Sequence, residues 1–414
     1  MTTQPSQLPQ IFGLLDVGTS KVVCLMLARA DGGDCTVIGL GHQKSRGLKA
    51  SVVVDSEAAE DAVRATVAQA EHMAGVALDA VVMSASCGRL ASSHFTVGLD
   101  LGGRTVASAD LDRLVAAGRE HVERDDRASL HLNAIGARLD GYVVPGHALG
   151  LAGQRLALDV HAVSADGAPL RYLQHVAERC QLTVAAIAPA PLASALAVTD
   201  EDDRQRGAVV VDCGAGTTSL AVFLRGSLVA ASVIPIGGNH ITYDLTRALD
   251  TTIIEAERIK KNHAIQSLAQ PMQDDAIAYQ PRGENRAPSK QVTRAQITTI
   301  ITSRLDALLR QIQQRLEFMG LAAQSNVDVF LTGGGSVLFE LAERAGVILG
   351  RSVRIVSPLN NGCLPKALLQ PAFATIAGLQ AIALDPGLGR RLAYVPVKSS
   401  ERPWHEPVWR RRQS

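Results

Sequence analysis

Aromatic residues make up only 3% of this 414-residue chain. A core of the size such a length allows must therefore be packed from Leu, Ile, Val and Ala. Cysteine is sparse too: Cys24, Cys35, Cys87, Cys180, Cys213 and Cys363 are scattered, with no C-x-x-C pair and no metal-ligand spacing. Set in apolar runs, most of them read as small core residues of a reducing compartment. No apolar run reaches the ~20 residues of a membrane-spanning helix. The N-terminus has no basic segment followed by an apolar one, so no secretory leader is expected. Lys and Arg number 41 against 40 Asp and Glu, a net charge of +1, which excludes a bulk electrostatic pull toward nucleic acid. The expectation is a cytoplasmic chain of two or more domains, attached to a membrane at most by its surface.

Glycine, by contrast, is patterned. Residues 209–211 are a β-branched run, Asp212, Gly214 and Gly216 break it, and residues 219–223 resume it. That spells strand, hairpin turn, strand. Glycines let a backbone approach a ligand, and successive free N–H groups cradle phosphate oxygens. Asp212 heads the turn and would repel a bare phosphate, so it fits one only with a cation or an oriented water between them. Residues 12–25 repeat the design around Asp16-Val17-Gly18-Thr19, with Lys21 near enough to reach a phosphate as a point charge. A third strand, 327–331, runs into Thr332-Gly333-Gly334-Gly335-Ser336, after which a helix is expected over 337–345.

Between these turns the chain alternates strand and helix. An amphipathic helix is expected over 56–74 with Ser56 as its N-cap. Residues 86–164 change in texture and read as an inserted small α/β domain around a helix over 108–122. A helix with Pro191 in its first turn follows strand 184–187, and residues 201–206 read as a charged surface turn. A helix beginning near Thr251 carries Glu257, Lys260 and Lys261 on neighbouring positions. Residues 266–290 read as a long loop or weak hairpin. Thr293 and Gln296 form a capping box, and the long helix that follows, to about residue 319, is basic through Arg294, Arg304, Arg310 and Arg315. That charge suits either plain solvation or an acidic partner segment. A last apolar helix covers 372–384, before a basic tail with Trp404, Trp409 and Arg410, Arg411 and Arg412.

The order of the three turns resembles the actin, Hsp70 and sugar-kinase superfamily. Segments 16–22, 39–47, 209–218, 233–239 and 331–335 resemble the FtsA family, the bacterial actin homologues of cell division, and the resemblance spans about residues 12–384. It implies an α/β fold: an actin-like two-lobed ATPase of duplicated ribonuclease-H-like domains, with a small α/β subdomain inserted in the first lobe. On that plan residues 1–11 are disordered, and 12–85 with 164–207 form the first-lobe core. Residues 86–163 are the insertion. Residues 208–237 with 320–370 form the second-lobe core, 238–319 its outer subdomain, 371–386 the final helix and 387–414 a tail.

The resemblance further implies ATP and Mg²⁺ as cofactors. Gly18, Thr19, Ser20 and Lys21 would face phosphates, with Gly214, Ala215, Gly216 and Thr217 as the second phosphate turn. Asp16 and Asp212 would hold hydrated Mg²⁺. Gly333, Gly334 and Gly335 would reach the α-phosphate and ribose, and Glu257, Lys260 and Lys261 the ribose and adenine. Where Hsp70-like relatives carry a water-orienting carboxylate this chain has Ala190-Pro191, which implies ATP binding with at most weak turnover. Implied partners are the FtsZ C-terminal tail, received by Lys290, Arg294 and Arg304, further copies of the chain in filaments, inner-membrane lipid, and other division proteins. Nucleic acid is not among them. The implied place is the cytoplasmic face of the inner membrane at the septum. Pro403 and Pro407 interrupt the amphipathic helix expected at the end of the family, leaving Trp404, Trp409 and Arg410 to Arg412 as an interfacial anchor. Alternatives are the related actin-like protein of pilus assembly, which shares the insertion but normally lacks a basic Trp tail, and a sugar-kinase or Hsp70-type ATPase.

Overall fold

The structure is a computed structural model that describes residues 10–29, 35–123, 127–146, 148–266, 276–283, 288–321, 327–338, 340–360 and 362–385. Strands Gln10–Val17 and Lys21–Arg29 form an antiparallel hairpin whose turn is closed by the Gly18 N–H donating to the Lys21 carbonyl at 3.0 Å. Cys35–Lys44 pairs antiparallel on one side; Ala80–Ala85 and then Thr183–Pro189 add parallel strands on the other, giving a five-stranded sheet. The second half repeats this plan. Ala208–Cys213 and Thr218–Leu224 form the hairpin, closed by the Gly214 N–H donating to the Thr217 carbonyl at 2.9 Å. Ser227–Ile234 pairs antiparallel, and Asp328–Thr332 and Val353–Ile355 pair parallel. Strand order, strand direction and turn closure are thus the same in both halves.

Alternation along Ala208–Cys213 assigns its residues to two cores. Val209 and Val211 pack with helices Gly238–Leu249, Arg294–Phe318 and Leu341–Leu349. Ala208 and Val210 face the other way, into the core of the first lobe. Helices Ala190–Val198 and Ala374–Leu384 fill the space there. Both are apolar around nearly their whole circumference, as buried helices are. They cross in backbone contact: a Cβ on Gly378 would lie 1.6 Å from the Ala193 carbonyl oxygen. Aliphatic side chains dominate these cores; Phe330 is the one aromatic among the largest fully buried side chains.

The insertion packs helix Ser108–Glu123 on strands Ala91–Asp100, Arg155–Asp166 and Arg127–Leu139 around its own core. Its strand Ala91–Asp100 meets the edge strand Ser227–Ile234 at Ala91 and Ser232, so the two sheets run on as one of nine strands. Ser92 bridges the junction. Its hydroxyl donates to the Ala231 carbonyl (3.1 Å), accepts from the Ala231 N–H (2.6 Å) and lies 2.7 Å from His161 Nε2.

Several local expectations shift. The first long helix is capped by Asp55, not Ser56, because the Asp55 carboxylate accepts from the Ala58 N–H. Residues Glu201–Arg206 are a short helix with a capping box between Asp200 and Asp203, not a turn. The chain after Gly335 continues in turns, and the helix starts only at Leu341. Strand Arg127–Leu139 was hidden by its His, Asn and Gly residues. Of the segment 266–290, the described Ala276–Tyr279 pairs antiparallel with Lys290–Thr293, a short hairpin whose second strand runs past the expected end. The Thr293–Gln296 capping box forms as expected. Cys24, Cys87 and Cys213 are buried, with thiols pushed up to about 12 mainly by burial, whereas Cys35, Cys180 and Cys363 are half-buried.

Gly378→Ala is expected to destabilise the protein by about 3 kcal/mol, since two helix backbones must separate to admit a methyl group. Gly346→Ala, in a helix with 3.6 Å to the nearest atom, should hold or raise Tm; thermal denaturation of the pair checks both. At the insertion junction, burial and the neighbouring imidazoles of His131 and His94 hold His161 down at about 3, from an ordinary 6.5. The unfolded chain therefore binds the extra proton first, and stability contributed above pH 6.5 is lost as pH falls toward 3, about 2 kcal/mol by pH 5. Amide exchange at Ala231 and Ser232, corrected for the intrinsic rate, should quicken below pH 6.5 and lose that dependence in His161→Asn.

Candidate functional site

Between the two hairpins lies a cavity of about 410 Å³. Its lining includes Asp16, Gly18, Thr19, Ser20 and Lys21 from the first hairpin, and Asp212, Gly214, Ala215, Gly216 and Thr217 from the second. Glu257, Lys260 and Lys261 from helix Ile253–Gln266 and the loop Gly333, Gly334 and Gly335 complete the set picked out in the sequence. Segments far apart in the chain converge because each half presents its hairpin turn at the same end of its sheet, and the two ends face one another.

The turns are packed closely enough that glycine is required at particular points. Gly333 has φ of 84°, and a Cβ there would fall 2.2 Å from Asp212 Oδ1. Gly237 passes over the second turn, where a Cβ would lie 2.5 Å from the Gly214 carbonyl oxygen. Gly238 and Asn239 then donate to the Gly214 and Ala215 carbonyls at 3.0 and 2.8 Å. On the other side the Gly335 N–H donates to the Cys213 carbonyl at 2.7 Å. The second turn is therefore gripped from both flanks before any ligand is considered.

The charges explain what such a cavity can hold. Burial pushes the Asp16 carboxyl above the usual range, and Ser84, donating to its Oδ1 at 2.5 Å, and the Lys21 ammonium pull it part of the way back. Burial and the facing Asp16 push Asp212 up to about 6, against the pull of Lys21 and the Thr375 and Ser194 hydroxyls. Lys21 is lowered by burial and raised by both carboxylates, and it stands 4.9 Å from the centre of the Phe373 ring. Two half-buried carboxylates against one facing ammonium leave a net negative charge that favours a cation. Among the described residues no cluster of three or more His, Cys, Asp or Glu could hold a metal alone. A cation here would keep water or ligand oxygens, as Mg²⁺ does.

Glu257, Lys260 and Lys261 divide their tasks. Lys260 is buried and donates to the Gly238 carbonyl (3.1 Å), the Thr242 hydroxyl (2.9 Å) and Glu257 (2.6 Å), so its ammonium fixes the Gly237–Gly238 turn. Although burial works the other way, the bonds from Lys260 and Thr242 hold the Glu257 carboxyl below its usual range. Lys261 is exposed and is the freer cation at the rim. Ala190 and Pro191 are buried away from the cavity; among the described residues its carboxylates are Asp16, Asp212 and Glu257.

Sequence reasoning passed over Ser51, Ser86, Ser219, Asn239, Val337, Leu338, Ala372 and Thr375, all of which line the cavity. Gly237-Gly238-Asn239 carried a signal, being a glycine pair after a strand. Ser51 and Thr375 carried none, because their place follows from packing. Of the basic residues on the outer subdomain, Lys290 is exposed and Arg294 half-buried. Arg304 is already held by Asp244 in a two-pronged pair at 2.6 and 2.8 Å. Trp404, Trp409 and Arg410, Arg411 and Arg412 lie outside the described residues. Among those described, no helix is long and apolar enough to cross a membrane.

Comparison with known proteins agrees with this geometry. The family model for cell division protein FtsA matches residues 209–378, and that for the SHS2 domain inserted in FtsA matches 87–164. The fold is similar to a chain of the PilM–PilN type IV pilus biogenesis complex, with a TM-score of 0.63 at 18% identity over 92% of this chain and 100% of that one. It is also similar to MreB5 of Spiroplasma citri bound to ADP, with a TM-score of 0.53 at 15% identity over 91% and 97%. The architecture is thus the actin-like two-lobed fold. In sequence the chain is 37% identical over 385 residues to the cell division protein FtsA of Agrobacterium fabrum, covering 90% of this chain and 87% of that one. It is 30% identical over 374 residues to that of Neisseria meningitidis, covering 90% of each. With that identity over nearly its whole length, and with the inserted domain in place, the chain belongs to the FtsA family of cell division proteins.

Proposed function

We propose that this protein binds MgATP in the cleft, assembles with copies of itself, and tethers FtsZ to the cytoplasmic face of the inner membrane while the septum is built. The observation that carries the nucleotide part is the convergence of sixteen residues, chosen from sequence motifs, on one cavity. The backbone N–H groups at the tips of the two turns suit phosphate oxygens, Lys21 adds a point charge, and Val337 and Leu338 offer an apolar surface to a base. Asp16 and Asp212 would hold the hydrated Mg²⁺, which would neutralise the phosphates beside the two carboxylates. Asp16 and Asp212 are committed to that cation and Ala190-Pro191 supplies no carboxylate, so turnover is weak and ATP acts chiefly as a ligand that favours the closed, assembling state.

Lys290 and Arg294, at the start of the long helix of the outer subdomain, suit the acidic tail of FtsZ. Arg304 can join them only by exchanging Asp244 for a partner carboxylate. Trp404, Trp409 and Arg410, Arg411 and Arg412 suit an anionic interface, at about 1 kcal/mol per charge, and copies joined in a filament multiply so weak an anchor. Family membership supports the division role and its partners.

Lys21→Ala and Asp212→Asn should each weaken binding of a fluorescent ATP analogue about tenfold or more, with Mg²⁺ dependence lost in the latter. Lys260→Ala should also cost about 2 kcal/mol of stability, since Glu257 and the Gly238 carbonyl each lose a donor; Lys261→Ala should spare stability. For the tether, the full chain and a chain ending at Gly387 are sedimented with anionic liposomes, ATP and an FtsZ tail peptide. The full chain should pellet and carry the peptide while the truncated chain stays soluble. If both stay soluble, the membrane role is wrong.

A further inference from the structure

The hairpin between Leu48–Lys49 and Val52–Val53 reverses at Ala50 and Ser51, whose φ angles are 46° and 62°. Two successive left-handed residues suit Asn-Gly, Asp-Gly or Gly-Gly, and the Cβ of an alanine or serine there crowds its own backbone. Neither residue is glycine, so the turn must be held from outside, and the holding contacts lie in the cleft. The Ser51 N–H donates to Thr19 Oγ1 at 3.0 Å, and the Ser51 hydroxyl lies 3.4 Å from that of Thr217. Thr19 belongs to the first phosphate turn and Thr217 to the second. The turns nearly touch at this point: a Cβ on Gly216 would sit 2.5 Å from Thr19 Oγ1. Ser51 is buried, yet it lines the cavity.

The rest of the lining gives the cavity a direction. Val337, Leu338 and Ala372 are apolar and come from the second-lobe glycine loop and the segment before the last helix. Ser51 arrives from the first lobe, at the tips of both turns. A nucleotide whose base takes the apolar lining sends its last phosphate toward those tips. A hydroxyl can turn to donate to a phosphate oxygen, and a hydrogen bond to a charged acceptor is worth more than a neutral one.

We propose that Ser51 reads the terminal phosphate, its hydroxyl giving the cleft a preference for a nucleoside triphosphate over the diphosphate. This rests on the reading of the cleft as a nucleotide site. The left-handed backbone at Ser51 supplies a control, because glycine removes both the strain and the hydroxyl. Calorimetric titration of the full chain with MgATP and with MgADP tests the idea. Ser51→Ala should weaken MgATP about tenfold and change MgADP by less than about twofold. Ser51→Gly should show the same selective loss while its Tm rises about 1–2 °C, so misfolding cannot account for it. Ala50→Gly should raise Tm similarly and leave both affinities alone. An unchanged ratio of the two affinities in both Ser51 variants, or equal losses for the two nucleotides, overturns the proposal. If the unmodified chain binds neither nucleotide, the reading of the cleft fails first, and that result is distinct from either.

Discussion

Asp16 and Asp212 face each other, half-buried in the lining of the cleft, and Lys21 draws on both carboxylates. Each carboxylate heads a hairpin that carries the central strand pair of its lobe. Placing like charges together in a low-dielectric interior is unfavourable unless something compensates. Lys21, Ser84 and Thr375 compensate in part. The remainder is negative charge that a cation would offset. The fold brings the two hairpins together around this charge, at the place where the proposed nucleotide would lie.

What keeps the hairpins in that relation is apolar. Helices Ala190–Val198 and Ala374–Leu384 cross under the cleft with no side chain between them at Gly378, and both belong to the core shared by the first sheet and one face of the second. The last helix also reaches the site. Thr375, in its first turn, donates to Asp212 Oδ2 at 3.2 Å, and the Pro371 carbonyl just before it accepts from the Gly333 N–H at 3.0 Å. A shift of one helix against the other would be felt at the carboxylate pair directly. The packing of the two helices and the carboxylate pair are thus joined through a few specific contacts. The insertion stands apart from this, with its own core and a junction built on Ser92 and three histidines.

Much of the site was legible in the sequence because the signals are short-ranged. A β-branched run interrupted by Asp-x-Gly is a strand and a turn whatever surrounds it, since steric limits on φ and ψ act over a few residues. The period of two along residues 208–213 likewise settles which side chains share a face. The same reasoning went astray where two local signals competed. Asp55 and Ser56 can both cap a helix, and the cap falls to Asp55, whose N–H is tied to the distant Gly47 carbonyl at 3.1 Å. Arg127–Leu139 is a strand despite polar residues that suggest otherwise, because its neighbours in the sheet complete its hydrogen bonds and its His131 and Asn133 are buried.

The sequence alone determined the three glycine turns, the acidic heads of two of them, the lysine beside the first and the inserted block, since spacing and residue type carry all of these. Tertiary structure alone decided how the polar side chains are used. Arg304 looks available for a partner until Asp244, sixty residues away, takes it. Lys260 looks like a ligand contact until the Gly238 carbonyl claims its ammonium. Ser51 looks like any loop serine until two turns from opposite lobes meet around it. A side chain's partner depends on which distant segments pack beside it, and packing is a property of the whole chain.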